Sequence, residues 1–132
     1  MNLLPATLET TGDRVSMRVG TTSLPLSAAF GAAARDGGGR PVIVGIRPED
    51  IDEYRGNHDA AAMISADVVT VEPLGAETLL TLRLPGIDSE IVARVGRTSM
   101  ASVGERIDLK FDLHSIHLFD SETGNVLDAA GT

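Results

Sequence analysis

The sequence contains no cysteine and no tryptophan. Without cysteine there is neither a disulfide framework nor a thiolate metal site, a composition that suits a reducing compartment. Aromatic residues make up only 3% of the chain. Phe30, Phe111, Phe119 and Tyr54 lie far apart, which is poor material for a base-stacking platform. Lys110 is the only lysine, and 19 acids against 11 bases give a net charge of −8. Such a surface repels phosphate backbones, so nucleic acid is not an expected partner. The same balance argues against a basic helix lying on a membrane. No apolar run reaches the ~18–20 residues needed to span a bilayer. The first residues lack the charged segment and apolar core of a signal peptide. A cytoplasmic chain is the resulting expectation, with attachment to a membrane complex through a partner left open.

What is present is a series of short strands. At 132 residues the chain has room for one compact domain or two very small ones. Leu3 to Thr10 reads as a strand that Pro5 confines to an edge or a strand start. Thr11-Gly12-Asp13 turns the chain into Arg14 to Val19, where Val15, Met17 and Val19 alternate with Arg14, Ser16 and Arg18. That period of two marks a half-buried strand and, with the first, a hairpin. Thr22 to Leu26 offers a third strand. The alanine-rich Ser27 to Arg35 suits about two turns of helix, with Ser27 as N-cap.

Val42 to Ile46 is a short apolar strand at the centre of the chain's organisation. Pro48 ends it, having no N–H for a ladder. Gly45 permits a bend or a close backbone approach. Arg47 and Glu49 stand at the exit as an ion pair or cap, or as a clasp between the parts of the chain on either side.

Beyond it, Asp52 to Asp59 reads as an exposed connection. Ala61 to Val71 is the longest strand candidate, with Val69 and Val71 on one face and Ala66, Val68 and Thr70 on the other. Glu72 to Ala76 is a turn, and Glu77 to Leu84 returns with Leu80, Leu82 and Leu84 inward. Glu90 to Val95, Arg106 to Phe111 and Ile116 to Phe119 follow, with a further short strand at Asn125 to Leu127 and a frayed tail after Asp128. About nine short strands with regularly spaced turns define an all-β barrel or barrel-like sandwich.

Several patterns that could carry chemistry do not meet its requirements. Gly37-Gly38-Gly39-Arg40 lacks the lysine with which a phosphate-binding loop reaches the terminal phosphates; a turn is the better reading. Asp50, Asp52, Glu53, His58 and Asp59 form an acidic cluster. Counted from Asp50 as a calcium loop, however, Tyr54 and Arg55 occupy positions that require an acid and a glycine. His114 and His117 are three apart, a spacing that on a strand sends them to opposite faces. No Gly-x-Ser-x-Gly elbow and no nucleophile–base arrangement occurs, so no catalytic residue and no metal ligand is assigned.

Five segments in order resemble one family. They are Met1-Asn2-Leu3-Leu4-Pro5, Gly45-Ile46-Arg47-Pro48-Glu49, Val71-Glu72-Pro73-Leu74-Gly75-Ala76-Glu77-Thr78, His117-Leu118-Phe119-Asp120, and Thr123-Gly124. Together they are similar to the C-terminal regulatory domain of the ATP-binding subunit of carbohydrate ABC importers of the maltose, glycerol-phosphate and trehalose type. The resemblance covers essentially the whole chain. It implies an oligonucleotide/oligosaccharide-binding (OB) type barrel with added strands, called a transport-associated OB domain.

It further implies that the chain is a fragment starting at the junction with an absent ATP-binding domain, which would hold ATP and magnesium; the fragment itself would need no cofactor and hydrolyse nothing. The implied partners are a second copy, the upstream ATPase domain, the membrane permease subunits indirectly, and in some members a regulatory protein. The implied location is the inner face of the cell membrane, as a peripheral part of a transporter. On this resemblance Gly45, Arg47, Pro48 and Glu49 are structural motif residues. Glu72, Leu74, Gly75, His117 and Phe119 are candidate contacts for a regulator or the second subunit. The alternative is a free-standing OB-type module that binds a sugar or an oxyanion.

Overall fold

The structure is a computed structural model that describes residues 1–32, 39–54 and 63–127. Among these residues there are eleven strands and no α-helix. They form two antiparallel sheets. The first, sheet A, has the order β11-β10-β4-β1-β2-β3, with β1 at Asn2–Thr11, β2 at Arg14–Val19, β3 at Thr22–Leu26, β4 at Arg40–Ile46, β10 at His117–Asp120 and β11 at Val126–Leu127. The second, sheet B, has the order β5-β9-β6-β7-β8, with β5 at Ile51–Glu53, β6 at Met63–Pro73, β7 at Glu77–Arg83, β8 at Glu90–Gly96 and β9 at Arg106–Phe111. The two edges of sheet B approach one another, since β8 packs against β5 and against the short turn of helix at Pro48–Asp50. The result is a nearly closed five-stranded barrel of OB type, with sheet A laid against it.

The alternation read from the sequence supplies the core. Leu4 and Leu8, Val15, Met17 and Val19, and Val42, Val44 and Ile46 face inward from sheet A. Ile64 and Ala66, Leu80 and Leu82, Ile91 and Ala93, and Leu109 and Phe111 meet them from sheet B. These residues form a single apolar cluster. At about 25 cal/mol per Å² of apolar surface removed from water, such a cluster is the dominant stabilising term.

The chain crosses from sheet A to sheet B within four residues. Pro48 stops β4 as expected and opens a single turn of 3-10 helix, after which Ile51 starts β5. The connection expected at Asp52 onward therefore begins as a strand: Ile51, Asp52 and Glu53 pair with Phe111, Lys110 and Leu109. The chain returns at β10, which pairs with β4 from His117↔Gly45 to Asp120↔Val42 and so ties the last strands back to the first sheet.

Three further expectations are corrected. β1 lies between β4 and β2, so it is not an edge strand. Pro5 is tolerated because pairing with β2 does not extend past Thr7↔Arg18, leaving Pro5 a partner, Ile43, on one side only. Pro41 is placed in the same way, paired with Thr7 where β10 has already ended. The alternation assigned to Ala61–Val71 fails after Val68. The register slips between Val68 and Thr70, a β-bulge that leaves Val69 as the extra residue. Thr70 is therefore exposed while Val71 packs on the core. Finally, Ala28–Ala32 is a 3-10 helix rather than the start of an α-helix. The Ser27 Oγ accepts from the Ala29 N–H at 3.2 Å, so Ser27 does cap the segment. The second turn expected there, most of the glycine run, His58, Asp59, the start of the long strand and the tail fall outside the described residues.

Candidate interaction surface

The outward faces of the two sheets differ in chemistry. On sheet B that face is tied down by paired charges. Asp67 meets Arg106 across β6 and β9 at 3.0 Å, Arg83 meets Glu90 across β7 and β8 at 3.0 Å, and Glu77 meets Arg94 at 2.8 Å. Ser65 adds a hydrogen bond to Asp108 at 2.9 Å. The guanidinium of Arg106 holds the Asp67 carboxyl below the ordinary carboxylate value. These are solvated cross-strand rungs, and screening by water keeps each of them weak.

Part of the outward face of sheet A is apolar instead. Odd-numbered positions of β1 point out there, so Leu3 is 58% exposed, and Met1 and Val126 are similarly open. Ile43 and Phe119, paired across β4 and β10, are half-buried between them. Gly45 is the floor of this patch. A Cβ at that position would meet Met1 Sδ at 2.9 Å and Phe119 Cε2 at 3.2 Å. Two side chains, Met1 just ahead of β1 and Phe119 on β10, thus fill from either side of β4 the space that a residue larger than glycine would take. The close approach expected at Gly45 is made by side chains, and no positive φ is involved.

The residues singled out from the sequence separate into three places. Gly45, His117 and Phe119 come together, with His117 directly across from Gly45 and exposed. Arg47, Pro48 and Glu49 form the crossing between the sheets. There Arg47 Nε donates to Asp50 Oδ2 at 3.1 Å, so its partner is Asp50, while Glu49 points to solvent. Glu72, Leu74 and Gly75 lie at the end of the β6–β7 hairpin, on the other sheet and unpaired with β10. All three are exposed, Leu74 to 51%, and Gly75 adopts the positive φ of 90° that the turn requires. His114 precedes β10 in a turn rather than on a strand, so the opposite-face argument does not apply to it. Among the described residues no group of three acids or histidines is placed to hold a metal ion.

Three important positions escape the sequence reading. Leu3 and Met1 stand there only as part of a motif, although the outward parity of Leu3 follows from the inward parity of Leu4. Asn2 faces inward and bridges the sheets. Its Nδ2 donates to the Val92 carbonyl at 2.8 Å and its Oδ1 accepts from the Val92 N–H at 2.9 Å.

A barrel of OB type carrying an extra sheet with a partly apolar outer face defines a small binding or assembly domain. The comparisons give the family. Residues 44–119 match the TOBE domain and residues 1–51 match the MalK OB fold domain, the two overlapping on the segment that crosses between the sheets. The chain belongs to the TOBE domain family. It is 33% identical over 126 residues to the sn-glycerol-3-phosphate import ATP-binding protein UgpC of Chromohalobacter salexigens, a match covering 96% of this chain and 32% of that protein. The protein of the same name from Salmonella typhi is 35% identical over 124 residues, covering 94% of this chain and 32% of its own length. The chain therefore spans about a third of the curated relatives it matches. Among solved structures, the cytoplasmic molybdate-binding protein ModG superposes with a TM-score of 0.64 at 15% identity, covering 89% of this chain and 94% of that one. This last likeness is one of fold.

Proposed function

We propose that this chain is the regulatory domain of the ATP-binding subunit of a sugar ABC importer, where it holds two such subunits together and offers a docking surface for regulators. The observation that supports the reading best is the match of nearly the whole chain to one third of ATP-binding import proteins. The apolar patch of Met1, Leu3, Ile43, Phe119 and Val126 gives the reading a physical basis, because it is a surface better covered than solvated. Contacts between two such domains would keep the ATPase parts at high effective concentration, so that they open and close as a hinge without separating. A bound regulator would act by preferring one of those two arrangements. ATP and magnesium belong, on this reading, to the ATPase part of the subunit, and the permease subunits are met indirectly. No helix among the described residues is long and apolar enough to cross a membrane.

The size of the native gene product tests this. An antibody raised to the chain should detect, in extracts of the source cells, a band about three times heavier, in keeping with the 32% coverage of the relatives, and in the membrane fraction. A soluble band at 13.8 kDa would overturn the reading.

A further inference from the structure

A cleft of about 350 Å³ opens beside the β1–β4 ladder on the outer side of sheet A, meeting the apolar patch at Ile43. Its floor is Pro5, Pro41 and Ile43; Thr7, Arg18 and Ser121 supply its polar groups. The two prolines sit beside it where a neighbouring strand has ended, β2 beside Pro5 and β10 beside Pro41, so each has a ladder partner on one side only.

The end wall comes from sheet B. The β7–β8 turn at Gly86 is pressed against the β2–β3 turn at Gly20, and the Thr21 N–H donates to the Pro85 carbonyl at 3.2 Å. Both glycines have positive φ, and a Cβ on Gly20 would land on the Pro85 carbonyl oxygen. The wall is thus a fixed contact between two turns.

With 19 acids against 11 bases overall, the one charged side chain among the described residues lining it is a cation, Arg18. One guanidinium nitrogen, Nη2, donates to Glu9 Oε2 at 2.9 Å, and the side chain is 52% exposed. A guanidinium has five N–H donors in a fixed fork, suited to an oxyanion. The Thr7 and Ser121 hydroxyls both donate and accept. Proline and isoleucine carbons offer an apolar floor for C–H surface. The volume is at the small end of ligand pockets.

From these features we infer that the cleft binds a small phosphorylated polyol of monosaccharide size. Its phosphate would sit on Arg18 and its hydroxyl-bearing body over Pro5, Pro41 and Ile43, between Thr7 and Ser121. Glu9 competes with the ligand for Arg18. The inference does not depend on the importer reading, and the test below can fail while that reading stands.

Amide chemical shifts of the 132-residue chain can be followed by NMR during titration with glucose 6-phosphate, glucose and inorganic phosphate. Glucose 6-phosphate should give saturable shifts at Thr7, Arg18, Gly20, Gly86 and Ser121, and bind more tightly than either of the other two. Arg18→Gln should weaken its binding by about tenfold or more, the loss of a charge-assisted contact. Glu9→Gln should tighten it by about two- to five-fold, the size of an exposed ion pair released. Well-dispersed spectra of both variants would confirm their folding, since both side chains lie on the surface. Absence of saturable shifts, shifts elsewhere, or unchanged affinity in Arg18→Gln would overturn the site. Equal affinity for inorganic phosphate would overturn the polyol body, and equal affinity for glucose the phosphate contact.

Discussion

The side chain of Asn2 makes both of its hydrogen bonds with one peptide edge, the N–H and C=O of Val92. Asn2 leaves sheet A on its inner face, and Val92 lies on β8, the edge strand of sheet B. The carboxamide thus occupies the place of a neighbouring strand for one residue and joins the two sheets. Asn2→Ala should lower unfolding free energy by about 1–2 kcal/mol, the usual cost of two part-buried bonds to backbone. Asn2→Asp should cost at least as much, because it keeps the acceptor but turns a carboxylate toward the Val92 carbonyl. Urea denaturation measures both; two variants as stable as the parent would show that the bridge contributes nothing.

Two glycines make opposite predictions from their surroundings. At Gly20 a Cβ would meet a backbone carbonyl, and φ is 59°. Neither can relax without separating the turns, so Gly20→Ala should destabilise by roughly 2–4 kcal/mol. At Gly45 the obstacles are the ends of Met1 and Phe119. Met1 is flexible and 61% exposed, so it can swing aside, and alanine is better than glycine in a strand by roughly 0.5–1 kcal/mol. Gly45→Ala should therefore shift stability by less than about 1 kcal/mol. Thermal unfolding of the pair checks the contrast, and a reversed order would count against these packing assignments.

Much of the fold is legible in the sequence where local rules suffice. Strands β2, β3 and β9 run over the residues that alternation and turns assign them, because each is short and half-buried. The bulge at Val69 is invisible to a rule that extrapolates a period of two, and it reverses the faces of the residues beyond it. β5 is three residues long, two of them acidic; its existence depends on β9, nearly sixty residues later. The return of β10 to β4 is equally non-local. For the same reason the pairing of His117 with Gly45 could not be read from their positions in the chain. Asn2 shows the limit for single residues, since nothing in Met-Asn-Leu-Leu says that the amide reaches Val92.

Leu3 separates folding from assembly. It is largely exposed and faces away from the core, so Leu3→Glu should leave the unfolding midpoint nearly unchanged, within about 0.5 kcal/mol. If a second copy covers the patch, the same variant should weaken self-association in sedimentation equilibrium, because it places a desolvated charge at each side of the contact. A parent chain and variant with the same association behaviour would remove the patch from the self-contact.

Asp120 gives the chain a predictable response to acid. Its Oδ2 accepts from Arg40 Nη2 at 2.7 Å, and its Oδ1 accepts the N–H groups of Glu122 and Thr123 at 2.8 and 2.9 Å. The Arg40 hydrogen bond, followed by the two backbone N–H groups, holds the carboxyl well below the ordinary carboxylate range. Once the pH falls to about 4, the unfolded chain takes up this proton before the folded one does. The stabilising contribution is therefore complete above that pH and is lost progressively as the pH falls toward the lower folded value. Asp67, lowered in the same direction by Arg106, adds to the trend. Asp120→Asn should thus be less stable than the parent at neutral pH, with the gap narrowing between about pH 4 and pH 2. Urea unfolding at a series of pH values measures that gap. A gap independent of pH would show that packing or neutral hydrogen bonding, and not the carboxylate charge, links β4 to β10 at Arg40 and Asp120.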